Sequence, residues 1–387
     1  MVNRSTDDTY KQDGVDVIEG DKFSAYAGKT CQESFQNSPF VEVLDPSGGY
    51  FRGARSFRFR NLPDGFSIGT TSDGNGTKVV FNDAAQMPFV AAQDLIAMSC
   101  GDITRDGGLP LIHNNVLDAG SIGKKGSPEN QFFRTLIAGL GEVAKIMQIV
   151  IFRGETAELG PCIGSEIPDS KFRFNWSGTA TGVYHPNLMI TGKSVSKGQD
   201  IVALREYGGR ANGYSSFRKA FAMQFGPEWF NNPDAQPYLE MAAKGSVLYD
   251  PFLTKINGWY DMFIPFLKIH KLIHVTGGAF EGKLGQDLLF RKGLSAVLDN
   301  LWDPPEIMRL CQEWRDMPDE QAYKTWNGGQ GMLAILDPYD AERFIQNASR
   351  ANIEAKVCGK IMKEDKPQIR IISKFRDYGR EIIYNAA

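Results

Sequence analysis

Three carboxylates in this chain each stand beside a glycine at the end of a predicted apolar element: Asp73, Asp102 and Glu155. From such a position a carboxylate can point into a cleft while the neighbouring backbone approaches a ligand closely. Hard oxygen ligands suit Mg²⁺, which commonly binds through few carboxylates together with nucleotide phosphate oxygens. Lys78 adds a positive charge near Asp73, as a phosphate site requires. The four residues predict a magnesium and phosphate site, although Asp beside Gly also marks ordinary turns and a lone lysine is commonly a solvated surface residue.

The densest of these signals is the segment 72–78, which reads Ser-Asp-Gly-Asn-Gly-Thr-Lys. The spacing of Gly74 and Gly76 is weak by itself, and the prediction depends on the full string with Thr77 and Lys78. The chain has no G-x-x-x-x-G-K-[ST] sequence, so an ordinary P-loop is not expected. No G-x-G-x-x-G follows a predicted strand to open a helix either.

The histidine at position 274 allows two interpretations. His274 could carry a proton or donate to a substrate, because an unperturbed histidine titrates near neutrality. A buried histidine with hydrogen-bond partners explains it equally well. His270 stands four residues earlier, which on a helix would place both side chains on one face as zinc ligands. The Val-Thr-Gly-Gly that follows is typical of a strand and loop, which argues against zinc.

Alternating apolar elements must position these residues. Residues 67–82 predict a strand end, a polar glycine loop and a second apolar run. The apolar spacing over 89–103 predicts a helix that ends near a Gly-Asp pair, and a second helix is predicted over 129–147. A strand at 149–152 then leads to Glu155. Acidic residues thus recur at the ends of apolar elements.

The chain also divides near its middle. Its 387 residues exceed the usual size of one hydrophobic core, and the polar stretch 191–198 resembles a surface connection. We therefore predict two domains, 1–192 and 193–387. Downstream, the predicted elements are a strand at 200–204, a helix at 214–224 and a strand with a turn at 272–278. Alternation of this kind indicates α/β or α+β domains.

Composition and charge exclude several classes of protein. A net charge of -3 lacks the broad positive field that favours nucleic acid or anionic membrane. The five cysteines include no C-x-x-C pair, which argues against a zinc ribbon or a disulfide framework. The chain begins without a basic-then-apolar signal pattern and contains no run of 18 or more apolar residues. We expect a cytoplasmic protein that binds neither nucleic acid nor membrane.

Six motifs occur in the order seen in the phosphoribosylformylglycinamidine cyclo-ligases, also called aminoimidazole ribonucleotide synthetases. They are Asp-Gly-Val-Asp at 13–16, Ser-Asp-Gly-Asn-Gly-Thr-Lys at 72–78, Gly-Glu-Thr-Ala-Glu at 154–158, Asn-Gly-Tyr-Ser at 212–215, His-Val-Thr-Gly-Gly at 274–278 and Trp-Asn-Gly-Gly-Gln-Gly-Met at 326–332. Because the six motifs span most of the chain in one order, the chain resembles that family.

The resemblance implies a homodimer in which the strands of the N-terminal domain build a shared β-barrel, followed by a C-terminal α/β domain. The family uses ATP and Mg²⁺ to activate the amide oxygen of formylglycinamidine ribonucleotide as a phosphate ester. An internal nitrogen then attacks, phosphate leaves and the imidazole ring closes. Chemistry of this kind depends chiefly on positioning and charge neutralisation.

The resemblance also implies a role for each candidate residue. Asp73, Asp102 and Glu155 are expected to hold metal-bound phosphates, and Lys78 is expected to neutralise phosphate charge. His274 joins Lys78 as a candidate catalytic residue. The nucleotide-binding candidates are Asp73, Gly74, Gly76, Thr77, Lys78, Glu155 and Thr156. The substrate-binding candidates are Asn212, Gly213, Thr276, Gly277 and Gly278.

The chain departs from the family's pattern near the expected site. The usual glycine-rich loop after the first motif is replaced by residues 35–40 with a Gly-Gly pair at 48–49. Gly101 stands where an asparagine usually precedes the second aspartate, and Arg153 stands where a glycine is common. The serine-rich, histidine-containing approach to Asn-Gly-Tyr-Ser is replaced by residues 206–211. These departures affect the prediction of the substrate more than that of ATP use.

Two alternatives therefore stay open. One is another enzyme of the same superfamily, such as a selenophosphate synthetase, a thiamine-monophosphate kinase or a carbamoyl-dehydrating hydrogenase maturation factor. The other is a non-catalytic scaffold or ligand sensor with the same fold. The nearly full-length order of motifs favours the cyclo-ligase, and the joint presence of Asp73, Lys78, Asp102 and Glu155 argues against the sensor.

Overall fold

A computed structural model describes residues 17–48 and 54–386 of the chain. The first predicted motif, at 13–16, and the second glycine of the pair at 48–49 lie outside the described residues. The described part is a mixed α+β structure with three β-sheets. No helix that it contains combines the length and apolar character needed to cross a membrane.

The first half of the chain forms a two-stranded and a four-stranded sheet with covering helices. Its helices are α1 (Val17–Glu33), α2 (Val79–Ala84), α3 (Pro88–Thr104) and α4 (Pro128–Met147), and its strands are β1 (Val41–Leu44), β2 (Ser56–Phe59), β3 (Ser67–Gly74), β4 (Leu109–Ala119), β5 (Val150–Glu158) and β6 (Phe174–Tyr184). Strands β1 and β2 pair antiparallel. The four-stranded sheet has the order β3-β6-β4-β5, in which β4 and β5 are parallel.

The second half of the chain forms a seven-stranded sheet. Its strands are β7 (Asp200–Arg205), β8 (Ile269–His274), β9 (Ser295–Leu298), β10 (Gln330–Leu336), β11 (Ala355–Met362), β12 (Gln368–Ile372) and β13 (Glu381–Asn385). Its helices are α5 (Tyr214–Phe225), α6 (Gln236–Ala242), α7 (Asp250–Ile256), the π-type helix α8 (Ala279–Leu289), α9 (Glu306–Trp314), α10 (Asp319–Thr325) and α11 (Pro338–Arg350). The sheet order is β13-β12-β9-β11-β7-β10-β8.

The predicted elements that hold the site are confirmed, and their sequences explain them. Helix α4 begins where the Ser127 side chain accepts a hydrogen bond from the Asn130 amide (3.2 Å) with proline in the first turn. It buries an apolar face that includes Phe133, Leu136 and Leu140. The helix predicted over 89–103 is α3, and the strands and helix predicted in the second half are β7, α5 and β8.

The predicted glycine loop over 72–78 is wrong in part. Residues Ser72 to Gly74 continue strand β3 and pair with β6, and Gly76–Lys78 forms a single 3₁₀ turn. Glycine at position 74 permits this pairing, because a Cβ atom there would lie 2.9 Å from the Trp176 carbonyl oxygen. The segment is therefore a strand end followed by a tight turn.

The four-stranded sheet has one face covered by helices and a second, partly open face, on which Val183 is buried beside β1 and β2; we call this second face the open face. Along β6 the residues Trp176 and Ala180 are buried against the helices. On the opposite face Ile68 is 58% exposed and Val116 is 41% exposed. Alternation along a strand sends successive side chains to opposite faces, so a residue's position in the register decides which face it serves.

The division at 192/193 remains a prediction. The strands of the four-stranded sheet precede it and those of the seven-stranded sheet follow it. Packing does not respect it as strictly, because Phe81 of α2 packs against Tyr214, Phe221 and Trp229, with ring centroids 5.5, 5.2 and 5.0 Å away. Helix α2 thus belongs to the core of the second half.

Candidate active site

Two of the three predicted carboxylates are brought together; we call Asp73 and Asp102 the acidic pair. Asp73 is at the end of β3, and its carboxylate accepts a hydrogen bond from the Gly74 amide (2.7 Å). Burial raises the pKa of Asp73, the Gly74 amide opposes that rise, and repulsion from the Asp102 carboxylate adds to it. Two neighbouring carboxylates repel each other unless a cation lies with them, so the pair suits a divalent metal ion.

Asp102 occupies the last turn of α3 and is held from two sides. Arg105 Nη1 lies 2.8 Å from its Oδ1, and His274 Nδ1 lies 3.2 Å from the same oxygen. Burial alone would raise the pKa of Asp102, but the His274 hydrogen bond and the Arg105 charge hold it below its usual value. Asp102 is thus an ionised carboxylate in a fixed orientation.

Glu155 does not join the acidic pair within one chain. It pairs with Val116, which pairs with Ser177, and these residues lie on the open face of the four-stranded sheet. Asp73 pairs instead with Gly178, on the face covered by α3. No group of three His, Cys, Asp or Glu side chains that could hold a metal ion occurs among residues 17–48 and 54–386. The predicted three-carboxylate set is therefore not assembled by a single copy of the chain.

Lys78 is placed differently from its predicted role as a phosphate contact. It is fully buried, and its Nζ donates hydrogen bonds to Asp94 Oδ1 (2.8 Å) and to the Lys244 carbonyl oxygen (2.6 Å). Asp94 also accepts from the amide and hydroxyl of Ser246 (3.1 and 2.6 Å). We call Lys78 and Asp94 the buried pair. Because its charge is already neutralised inside the core, Lys78 is out of reach of a ligand phosphate.

His274 matches the second of its two interpretations, a buried histidine with fixed partners. Its Nε2 accepts a hydrogen bond from Arg210 Nε (3.0 Å), since an arginine can only donate. The proton of the neutral ring must then be on Nδ1, which donates to Asp102. Burial and the nearby Arg210 charge lower the pKa of His274 to about 4, although Asp102 opposes this. His274 therefore orients Asp102, and the predicted proton carrier is not supported. The zinc alternative fails too, because His270 binds Ser194 instead.

Arg210 and Glu206 are site residues that the motifs did not indicate. Both are fully buried, and Arg210 Nη1 lies 2.8 Å from Glu206 Oε2. They belong to the segment 206–211, which departs from the family's pattern. Gly101, another departure, leaves room for the His274 ring, because a Cβ atom there would lie 3.3 Å from His274 Cε1. These two departures thus meet at His274, behind Asp102.

The predicted substrate loops converge on the end of α10. Gly213 begins helix α5 with φ = 76°, and a Cβ atom there would lie 2.8 Å from the Thr325 carbonyl oxygen. The Gly278 amide donates to the Lys324 carbonyl oxygen (2.8 Å), and Gly277 lies against the same turn. Asn212 contacts Met98 of α3, four residues before Asp102 of the acidic pair. Two glycine-led helix starts therefore lie near the acidic pair.

Lys283 is a further cation that sequence reasoning missed. It is on α8, and its Nζ donates hydrogen bonds to the His274 carbonyl oxygen (3.1 Å) and to Thr276 Oγ1 (2.7 Å). Lys283 acts electrostatically on both members of the acidic pair, which lowers the pKa of each relative to burial alone. The lysine follows the His-Val-Thr-Gly-Gly motif by five residues, and no pattern in the sequence singled it out.

Two concave surfaces adjoin Glu155. The open one has a volume of about 730 Å³ and includes Asp73, Arg153 and Glu155. The other has a volume of about 350 Å³ and lies between α1, α4 and β5, with Thr156 and Asn115 in its wall. Asn115 is 6% exposed, and among the described residues nothing accepts a hydrogen bond from its Nδ2. A buried donor without a partner suits a ligand acceptor.

Of the remaining nucleotide-binding candidates, only Thr156 lines one of these two surfaces. Thr156 lines the smaller pocket, whereas Gly76 is exposed with φ = 54° in the turn after β3. Thr77 is half-buried beside the buried pair. Gly74 has its role in strand pairing. The segment 72–78 thus contributes its Asp73 end to the acidic pair and its Lys78 end to the core.

Comparisons with known proteins agree with this architecture. Residues 57–183 match the family described as AIR synthase related protein, N-terminal domain. The chain is 29% identical over 357 residues to a phosphoribosylformylglycinamidine cyclo-ligase of Thermoanaerobacter sp. (strain X514), which covers 92% of this chain and 98% of that protein. It is 28% identical over 359 residues to a cyclo-ligase of Methanocaldococcus jannaschii, covering 92% of each chain.

Solved structures share the fold at low identity. Thermotoga maritima PurL complexed with FGAR matches with a TM-score of 0.51 and 14% identity over 83% of this chain, which spans 46% of that protein. The HypE-HypF complex matches with a TM-score of 0.51 and 15% identity over 83% of this chain and 91% of that chain. Thiamine-monophosphate kinase from Stenotrophomonas maltophilia matches with a TM-score of 0.51 and 12% identity over 87% and 92%. The chain is thus similar to phosphoribosylformylglycinamidine cyclo-ligases over 92% of its length, and its residues 57–183 match the AIR synthase related N-terminal domain.

Proposed function

We propose that this chain catalyses the ATP-dependent cyclisation of formylglycinamidine ribonucleotide to 5-aminoimidazole ribonucleotide, a step of purine biosynthesis. The observation that carries the proposal is the acidic pair, Asp73 and Asp102, formed by two motif residues of a chain that aligns with cyclo-ligases over 92% of its length. ATP would transfer its terminal phosphoryl group to the amide oxygen. The ring-closing nitrogen would then attack the carbon that bears this oxygen, and the oxygen would leave as part of phosphate.

The residues of the chain serve this reaction chiefly by positioning charge. Asp73 and Asp102 would hold Mg²⁺, which supplies neutralisation of the phosphate oxygens when it is bound. Two carboxylates with phosphate oxygens suffice for that ion, so the acidic pair fits it without a third protein ligand. The Asp102 carboxylate is kept ionised and oriented by His274 and Arg105. The first turns of α5 and α8, which follow Gly213 and Gly278, would present the positive ends of their helix dipoles to an anionic group of the substrate.

The smaller pocket beside Glu155 is our candidate for the base of the nucleotide. Its wall combines apolar residues of α4 with the unpartnered Nδ2 of Asn115, which could donate to a ring nitrogen. Glu155 and Arg153 stand between this pocket and the open surface. ATP seated there would direct its phosphates along the open face of the sheet.

We also propose that the protein is a homodimer joined through the open face of the four-stranded sheet, as a shared barrel requires. Ile68 and Val116 are exposed on that face, and burying them would remove apolar surface from water. Pairing two copies would also bring a second sheet against Glu155. Sedimentation analysis of Ile68→Arg tests this, with Ile146→Arg on α4 as a control of similar exposure. A dimeric Ile68→Arg protein would contradict the proposed interface.

The decisive assay combines the purified protein with Mg-ATP and formylglycinamidine ribonucleotide and follows both ADP and the aminoimidazole product. Stoichiometric ADP and product are expected, and neither should form when the ribonucleotide is omitted. Release of ADP without the product would indicate another acceptor. Absence of nucleotide binding at millimolar Mg-ATP would reject every enzymatic proposal together.

A second candidate, another superfamily reaction with a different acceptor, has one observation in its favour. The segment 206–211 carries the buried Glu206 and Arg210 pair in place of the family's serine-rich approach. Replacing that segment changes the wall behind His274 and Asp102, where the acceptor would lie.

All five cysteines are free thiols, which fits the cytoplasmic location that we propose for either reaction.

A further inference from the structure

We propose that Lys283 is the residue that contacts a phosphate group at this site, the role that the motif assigned to Lys78. The proposal rests on the proposed function, because it names the cation of the same ATP-dependent site. It arises from a contrast between two lysines. One has lost all access to a ligand, and the other is beside the acidic pair at the edge of a cavity.

The hydrogen bonds of Lys283 leave part of its binding capacity available. A lysine ammonium group has three N–H donors. Two of them go to the His274 carbonyl oxygen and to Thr276 Oγ1, at 3.1 and 2.7 Å. Both acceptors are neutral, and in the described part of the chain no carboxylate lies within 4.0 Å of Nζ. The third donor and the full positive charge can therefore serve a ligand.

Those two bonds also fix where the charge is held. They tie Nζ to the strand end that carries His274 and to the loop at 276–278, which we assign to the substrate. His274 in turn donates to Asp102. The ammonium group of Lys283 is thus positioned relative to the acidic pair by side chains that are themselves buried or hydrogen-bonded.

A cavity of about 300 Å³ opens beside Lys283, between α3, β8 and α8. Arg105, Lys271, Asp106 and Asp287 also line it. Arg105 and Lys271 each form an ion pair with a carboxylate at 2.8 Å. Lys283, in contrast, donates its hydrogen bonds to uncharged oxygens. A phosphate ester fits the volume and the charge of this wall.

The surroundings strengthen such a contact. Lys283 is partly buried, and burial together with the Arg105 charge lowers its pKa, against the opposing effect of Asp102 and Asp73. A negatively charged phosphate oxygen would stabilise the ammonium group against these two effects. In a partly desolvated position the attraction between unlike charges is stronger than in water. The ligand chemistry is a phosphate oxygen, either of the nucleotide or of the phosphorylated ribonucleotide.

The test compares Lys283→Gln with Lys292→Gln in the full-length protein. Lys292 is a matched control, because its Nζ also donates to a carbonyl oxygen, that of Lys193, but at an exposed position after α8. Loss of a hydrogen bond to a charged group predicts that Lys283→Gln lowers kcat/KM about 10- to 100-fold. Lys292→Gln should keep the wild-type value.

Separate titrations identify the source of the phosphate. A raised KM for Mg-ATP at saturating ribonucleotide assigns Lys283 to the nucleotide, and a raised KM for the ribonucleotide assigns it to the substrate. A lower kcat at unchanged KM assigns it to the phosphoryl group in transfer. Wild-type kcat and KM values for Lys283→Gln would overturn the inference, whereas an inactive wild-type protein would overturn the proposed function instead.

Lys283→Arg guards against a purely structural effect, because it keeps the charge. It should retain at least about tenfold more kcat/KM than Lys283→Gln. Circular dichroism and urea unfolding accompany each variant. Equal loss of activity in the arginine and glutamine variants, with the fold preserved, would also overturn the inference.

Discussion

The buried pair and the acidic pair begin within six residues of each other, yet they serve opposite purposes. Lys78 and Asp94 are fully buried, and each neutralises the other inside the core. Asp73 and Asp102 are half-buried and carry like charges, and Asp73 also lines the open concave surface. Charges that cancel inside a protein hold elements together, whereas uncancelled charges at an opening are available to a ligand.

The contrast reassigns the chemistry of a single motif. Sequence reasoning treated the whole segment 72–78 as a phosphate holder, because its residue types suit that task. In the folded chain the segment is split by a 3₁₀ turn, so that one end reaches the cleft and the other reaches Asp94 and Lys244. Positive charge near the acidic pair comes instead from Arg105 and from Lys283, which stands more than 200 residues later.

The largest expected effect tests the buried pair. Asp94→Ala leaves the Lys78 ammonium group buried without its counter-charge and should lower the free energy of unfolding by about 3–5 kcal/mol in urea denaturation. Lys29→Ala is the control, because it removes an exposed ion pair with Glu33 (3.8 Å) and should cost less than about 1 kcal/mol. Equal losses of unfolding free energy in the two variants would show that the buried pair stabilises the fold no more than an exposed ion pair does.

The second prediction tests the acidic pair. Asp73→Asn should lower kcat by about 10²- to 10³-fold, or roughly 3–4 kcal/mol, because a charge that neutralises the metal-bound phosphate is lost. Its free energy of unfolding should change little, since the substitution relieves repulsion from Asp102. Steady-state kinetics and urea denaturation measure both quantities. Unchanged turnover would remove Asp73 from the site. A large loss of stability would indicate that Asp73 has a structural role, as Lys78 and Asp94 do.

A third prediction concerns a buried histidine on the covered face of the sheet. Burial lowers the pKa of His113 from 6.5 to about 3, and its Nε2 lies 3.1 Å from Ser99 Oγ. The unfolded chain therefore binds a proton below pH 6.5 that the folded chain does not, so His113 stabilises the protein above pH 6.5 and this contribution is lost as pH falls toward 3.

The loss should approach about 1.4 kcal/mol per pH unit from this one group. Urea denaturation between pH 7 and pH 5 measures it. In His113→Gln the pH dependence of the free energy of unfolding should correspond to about one proton fewer taken up on unfolding, whatever the absolute stability of the variant. An identical slope in the variant and the wild type would show that the covered face admits charge.

The smallest expected effect concerns Arg153 on the open face. The residue is exposed, with its guanidinium carbon 5.8 Å from the centroid of the Phe152 ring, and it borders both concave surfaces near Glu155. Arg153→Gly should raise the KM for Mg-ATP about two- to fivefold, or less than about 1 kcal/mol, because exposed charges are screened by solvent. The difference should shrink in high salt. A change above tenfold would place Arg153 among the principal phosphate contacts.

Local sequence patterns predicted the elements of the fold well. The helices over 88–104 and 128–147 follow from apolar spacing, a serine cap and proline in the first turn, all of which act within a few residues. Family motifs also led to the acidic pair. The face of the sheet on which each carboxylate lies was not predictable, because one residue of register moves a side chain to the other face.

The amino-acid sequence by itself determined the secondary elements, the resemblance to the cyclo-ligases and the two aspartates that meet at the site. The tertiary structure decided which charges are available to a ligand. Lys78 is neutralised by Asp94, 16 residues away, and by the Lys244 carbonyl oxygen, 166 residues away. Lys283 comes to the site through α8. Burial and counter-charges arise from contacts between distant segments, so the role of a charged residue is fixed only when those segments pack together.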